Sequence, residues 1–98
     1  MASIGDIVSE HTSTLSGSSL SIRPSGTTEW GIQNIYIPYG VECELYRTDG
    51  ANDILLCKAT DTINFAQPLN ATYSIYFKLK NVSGSTSYIG YDGKISKA

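Results

Sequence analysis

The stretch from Val41 to Ala59 holds two extended segments separated by Asp49, Gly50, Ala51 and Asn52, residues that favour turns over helix or strand interiors. In the first segment Val41, Cys43 and Leu45 alternate with Glu42, Glu44 and Tyr46; in the second Leu55, Cys57 and Ala59 alternate with Ile54, Leu56 and Lys58. Side chains on a strand change face at every residue, so this is the pattern of a β-hairpin with one buried face. A pairing that sets Leu45 beside Leu55 also sets Cys43 opposite Cys57 and Val41 opposite Ala59, whereas a one-residue slip turns the glutamates inwards. A chain committed to this hairpin must supply a second layer to cover it.

The remaining sequence supplies that layer as further short strands. Leu20 and Ile22 alternate with serines before Pro24, and Glu29 to Ile37 carries Trp30, Ile32, Tyr36 and Ile37 before Pro38 and Gly40 force a turn. Thr62 to Phe65 reads as a short strand, and Ala66 to Asn70 as a loop because Pro68 has no N–H to donate to a ladder. Tyr73 to Lys80 shows the cleanest alternation, with Tyr73, Ile75, Phe77 and Leu79 on one face. Thr86 to Tyr91 follows a turn at Gly84, and Asp92-Gly93 reads as a last bend. The expected fold is all-β, a small antiparallel β-sandwich or barrel of about six to seven strands. It forms one domain, with a core of Leu20, Ile22, Trp30, Ile32, Val41, Leu45, Leu55, Ile75, Phe77, Leu79 and Ile89 spread over residues 18–98. Residues 1–17, rich in Ser, Thr and Gly, read as a flexible N-terminal arm with a brief apolar pattern at Ile4, Ile7 and Val8.

Several function classes are disfavoured by composition. A net charge of −2 spread over seven basic and nine acidic residues makes no stripe that would attract a phosphate backbone, so no nucleic-acid partner is expected. No apolar run approaches the roughly 20 residues of a membrane-spanning helix, and Met1 to Glu10 lacks the pattern of a signal peptide, so the expectation is synthesis in the cytoplasm and no membrane partner. Two cysteines are too few for a disulfide scaffold or a four-ligand zinc site; both are read as reduced, buried thiols in the cytoplasm, with a Cys43–Cys57 bridge as the alternative under oxidising conditions.

Candidate chemistry is sparse. A Cys57 nucleophile served by the single His11 is disfavoured because a thiol facing the core is inert. Glu42 and Glu44 share a strand face about 7 Å apart, but in a solvated setting that raises neither pKa. Asp49, Asn52 and Asp53 lack the spacing of a calcium loop and fit turn capping better. Asn70-Ala71-Thr72 and Asn81-Val82-Ser83 match the glycosylation tripeptide but carry no weight without secretion. No catalytic, cofactor or metal site is assigned, and the chain is read as no enzyme.

Only 16% of residues are charged, while there are seven tyrosines, more than so small a core can hold. Tyrosines left outside supply rigid apolar area with a polar tip, which suits a binding surface, a sugar-stacking platform or cross-strand aromatic pairs. The candidate partner-binding residues are Ile4, Ile7 and Val8 of the arm together with Tyr36, Tyr39, Tyr46 and Tyr76.

Three segments carry a resemblance: Ser21-Ile22-Arg23-Pro24 leading through Glu29-Trp30 to Asn34-Ile35-Tyr36; Val41 to Asn52 with Glu44-Leu45-Tyr46 before Thr48-Asp49-Gly50; and Phe77 to Asn81 leading to Ile89-Gly90-Tyr91-Asp92-Gly93. Together they resemble small virion structural proteins of tailed bacteriophages, similar in size and form to capsid decoration, or cement, proteins. The resemblance implies a β-rich homotrimer on the outside of a phage head, with the major capsid protein or other virion subunits as partners. Its alternatives are a tail, baseplate or head-fibre accessory subunit and, from the residues alone, a carbohydrate-binding module in which Trp30 or two tyrosines stack on sugars while Asn or Asp side chains hold hydroxyls.

Overall fold

The computed structural model describes residues 3–98. Its secondary structure consists of strands, eight among the described residues: β1 Ile7–Thr14, β2 Ser19–Ile22, β3 Glu29–Tyr36, β4 Cys43–Thr48, β5 Asp53–Ala59, β6 Ile63–Ala71, β7 Tyr76–Asn81 and β8 Ser87–Lys97. They form two four-stranded sheets, sheet A in the order β1-β8-β3-β6 and sheet B in the order β2-β7-β4-β5, with antiparallel neighbours throughout. Apart from the β4–β5 hairpin within sheet B, successive strands pass from one sheet to the other, the topology of an eight-stranded jelly roll. The expected all-β sandwich is thus present, with more strands than expected.

The core lies between the sheets. Ile22, Ile32, Ile35, Leu79 and Ile89 are fully buried, with Leu20, Cys43, Leu45, Phe77 and Tyr91 packed around them. Burying an aliphatic side chain of this size contributes about 1.5–3 kcal/mol, so these positions carry most of the folding energy. Trp30, Val41 and Ile75 are half-buried at the rim rather than central.

The hairpin is real but its register differs from the expected one. Leu45 pairs with Cys57 and Cys43 with Ala59, then the register shifts and Tyr46 pairs with Leu55. The extra residue, Leu56, is a β-bulge. Cys43 and Cys57 therefore do not face each other, both remain free thiols, and Leu55 is 44% exposed instead of core. In the turn, Asp49 Oδ1 accepts the amides of Ala51 and Asn52 at 2.9 and 2.7 Å, and Gly50 supplies the positive φ of 97°. These bonds hold the Asp49 carboxyl below its ordinary pKa.

Four segments depart from the sequence reading: residues 73–75, expected to open the strand from Tyr73 to Lys80, form a bend before β7 starts at Tyr76, and three more differ as follows. The expected arm contains β1, which pairs with β8 from Ile7↔Lys94 to Thr14↔Ser87; the arm's first two residues, Met1 and Ala2, lie outside the described residues. Its inward positions, Val8, Glu10, Thr12 and Thr14, are mostly polar, so no apolar alternation betrays the strand. The expected loop at Ala66 to Asn70 belongs to β6, an edge strand that tolerates Pro68 because the chain bulges there, four residues against the single Gln33 of β3. Gln33 Nε2 donates to the Phe65 carbonyl at 3.0 Å within that bulge. Asp92-Gly93 is no bend: β8 runs straight through it, and Gly93 is required because a Cβ there would come within 2.9 Å of the Ile32 Cα.

Where β1 turns into β2, the sandwich is closed by Asn81. Its side chain is buried, its Nδ2 donates to the carbonyls of Thr14 and Ser85 at 2.8 Å each, and its Oδ1 accepts from the Ser83 amide and hydroxyl at 2.9 and 2.7 Å. All four hydrogen-bonding positions of this amide are used. The tripeptide Asn81-Val82-Ser83 is accordingly closed to modification in the folded chain.

Candidate functional site

The seven residues singled out from sequence do not converge. Ile4, Ile7 and Tyr39 are 71%, 78% and 88% exposed, Ile4 just before and Ile7 at the start of β1, Tyr39 in the turn between β3 and β4. Val8 is half-buried on the inward side of β1. Tyr46 is half-buried, its hydroxyl donates to Glu44, and that bond with partial burial raises its pKa.

Tyr76 is a correction: it is only 7% exposed and belongs to the body of the fold. Arg23 is the cause. Its guanidinium lies 4.0 Å from the Tyr73 ring centre and 4.3 Å from that of Tyr76, while its Nε donates to the Tyr73 carbonyl at 2.8 Å. The guanidinium covers the ring, and the cation gains from the π faces.

Two surface regions gather residues instead. The first is β5 at the free edge of sheet B. Ile54, Leu55 and Leu56 are consecutive and 62%, 44% and 44% exposed, and beside them Cys57 and Ala59 of β5 and Ile63, Phe65 and Leu69 of β6 are half-buried. Leu56, Leu69, Asn70, Phe77 and Arg47 line a surface depression of about 280 Å³. The sequence signal for this region is the run Ile54-Leu55-Leu56-Cys57, which lacks any polar residue to turn outwards; reading strict alternation through the bulge hid it.

The second region is the outer face of sheet A. The register places His11 beside Gly90 and Gly90 beside Tyr36, a row across β1, β8 and β3. Glycine is required in that row, since a Cβ at residue 90 would land 2.7 Å from the imidazole Cγ of His11. The bare backbone lets the His11 ring lie across β8, with its centre 5.3 Å from Tyr36 edge-on and 6.5 Å from Tyr88 in a near-parallel plane. Tyr36 is 41% and Tyr88 57% exposed. One step further along the same strands, about 7 Å away, the register aligns Ser9, Asp92, Asn34 and Asn64. Asn34 Nδ2 donates to Asp92 Oδ1 at 2.7 Å.

The groups considered for catalysis are separately occupied. Glu44 accepts from Tyr46 and lies 3.8 Å from Lys58 Nζ. Burial pushes the Cys43 thiol up to about 11, and burial raises Cys57 as well, so both sulfurs are protonated at neutral pH and poor nucleophiles. Cys57 sits in sheet B and His11 in sheet A. Among the described residues, no three of His, Cys, Asp and Glu gather as metal ligands.

No protein-family model matches the sequence, and no curated protein does. Among solved structures, the nucleoplasmin-like N-terminal domain of Drosophila FKBP39 is similar, with a TM-score of 0.64 at 11% identity, covering 100% of this chain and 95% of that one. At that identity the likeness is one of fold: an eight-stranded antiparallel sandwich.

Proposed function

We propose that this chain is a virion structural protein of a tailed bacteriophage that decorates the outside of the head, self-associates as a homotrimer and cements neighbouring capsid subunits. The observation that carries this reading is β5. An edge strand with unpaired backbone groups and three consecutive exposed aliphatic side chains is a hazard in a free monomer, and proteins normally blunt such edges with charge, proline or cover. Here the cover is another subunit. The resemblance of the segments at Ser21 to Tyr36, Val41 to Asn52 and Phe77 to Gly93 supports a phage source, and jelly rolls recur in viral capsids, an analogy of architecture only.

The role asks for contact area and valency, not turnover. Ile4 and Tyr39, both strongly exposed, add apolar area for the shell. Few charges need be desolvated on docking, and weak contacts repeated on a symmetric lattice add by avidity. In this reading the chain is no enzyme and works in the virion.

The test is association with heads. Purified protein mixed with undecorated, expanded capsids of its own phage is expected to co-sediment with them, and its mass in solution is expected to be three times that of the monomer. Failure to bind those capsids sinks the reading.

A further inference from the structure

The geometry points to a saccharide-binding face on the outer side of sheet A, with His11, Tyr36 and Tyr88 as the aromatic platform and Asn34 and Asp92 as the hydroxyl-binding pair. This inference is independent of capsid decoration, because the face lies across the sandwich from β5.

A pyranose ring has an apolar face of C–H groups and a rim of hydroxyls, so its recognition calls for exposed aromatic rings beside fixed planar polar groups. Both occur here in register. Tyr36 and Tyr88 keep about half their surface in water although His11 packs between them, so the cluster is held in place without being hidden. The adjacent row is equally fixed. The bond from Asn34 Nδ2 to Asp92 Oδ1 orients both side chains, and leaves Asn34 Oδ1 and Asp92 Oδ2 as two acceptors for neighbouring hydroxyls. Asn64 extends the row on β6, and Ser9 on β1.

Next to this pair lies a shallow depression of about 260 Å³, lined by Ile7, Gln33, Asn34, Asp92, Gly93 and Lys94, with room for a sugar unit. The charge of the face selects the ligand class. Asp92 and Lys94 offset each other and the other groups are neutral, which suits an uncharged polyol better than a phosphate or an acidic polymer. Cross-strand aromatic pairing for stability alone explains the contacts of His11 but not the ordered polar row beside them.

The full chain is tested first on a printed array of bacterial and plant glycans, and the strongest neutral oligosaccharide is then titrated into 15N-labelled protein. Amide shifts are expected to be confined to residues 7–13, 31–36 and 88–94. Tyr36→Leu and Tyr88→Leu, which keep bulk at exposed positions, are expected to weaken binding about tenfold each with unchanged circular dichroism, and Asp92→Asn to weaken it severalfold. Ser21→Ala, on the outer face of sheet B, is expected to leave it unaltered. An array without a neutral glycan ligand, shifts elsewhere on the molecule, or full affinity in both tyrosine variants overturns the inference. Capsid association is expected to persist in the tyrosine variants, so the two readings fail separately.

Discussion

The two long edges of this sandwich are finished in opposite ways. At the β1–β2 edge the chain crosses between sheets under a saturated amide: Asn81 bonds the ends of β1 and of the β7–β8 turn, and Thr14 is buried beneath it. At the β5–β6 edge Leu56 and Leu69 line an open depression, and Ile54, Leu55 and Leu56 are exposed. One edge satisfies itself with internal polar bonds; the other leaves its apolar surface for something else to cover. Under the proposed function, the contrast puts stability and adhesion in different places, and mutations should separate them.

The largest effect is expected at the closed edge. Asn81→Ala removes four hydrogen bonds and orphans the carbonyl of Thr14, a loss of about 3 kcal/mol. Chemical denaturation should show it, with a fall in Tm of about 15 °C. A loss below about 1 kcal/mol would mean that this edge is not held by Asn81.

At the open edge the expected result is reversed. Leu55→Lys and Leu56→Lys should change the stability of the monomer by less than about 0.5 kcal/mol, since neither side chain is buried there. Both should abolish self-association measured by light scattering and reduce capsid co-sedimentation. A trimer that survives both substitutions would move the interface away from β5.

A pH titration sharpens the comparison between the two cysteines. The Cys43 pKa is raised from about 9 in the unfolded chain to about 11 in the fold, so the unfolded state loses its proton first as pH rises. The stability that Cys43 contributes is complete below pH 9 and is lost between about pH 9 and pH 11. Cys43→Ala should flatten that part of the stability curve, and part of the slope should remain because Tyr91 is also held protonated by burial and by Glu10. In the native protein Cys57, half-buried on the open edge, should react with a maleimide well before Cys43 does.

The smallest effect is expected from Lys58→Ala. It breaks a 3.8 Å ion pair with Glu44 whose lysine is mostly solvated, and should cost no more than about 0.5 kcal/mol by thermal melting.

How much of this could be read from the residues depends on how each strand is buried. β7 sits inside sheet B, and Phe77 and Leu79 fall inward as their alternation requires. Leu20, Ile22, Ile32, Leu45 and Ile89 are likewise core positions in both readings. Edge strands were the difficulty. β1 turns threonines and Glu10 inwards, β6 carries Pro68 through a bulge, and β5 shifts register at Leu56, so strict period-two reasoning misses the first, breaks the second and inverts part of the third.

The candidate surfaces were less legible than the core. Exposed tyrosines were anticipated, but the sequence does not say that Gly90 lies under His11, nor that Tyr36, Tyr88 and Asn34 share a face with Asp92. Those neighbours are separated by tens of residues and meet only through the register of β1, β8 and β3. Tyr76 fails for a similar reason: its cover, Arg23, belongs to a distant segment.

The pairing of β1 with β8 also sets an order of events. Ile7 finds its partner at Lys94, and β3 needs the same strand on its other side, so sheet A has no centre until Ser87–Lys97 has left the ribosome. Before then the nascent polypeptide holds a stretch awaiting its mate across almost the whole length of the sequence. Loop closure over such separations is slow, so sheet A is expected to close after the locally paired β4–β5 hairpin has formed.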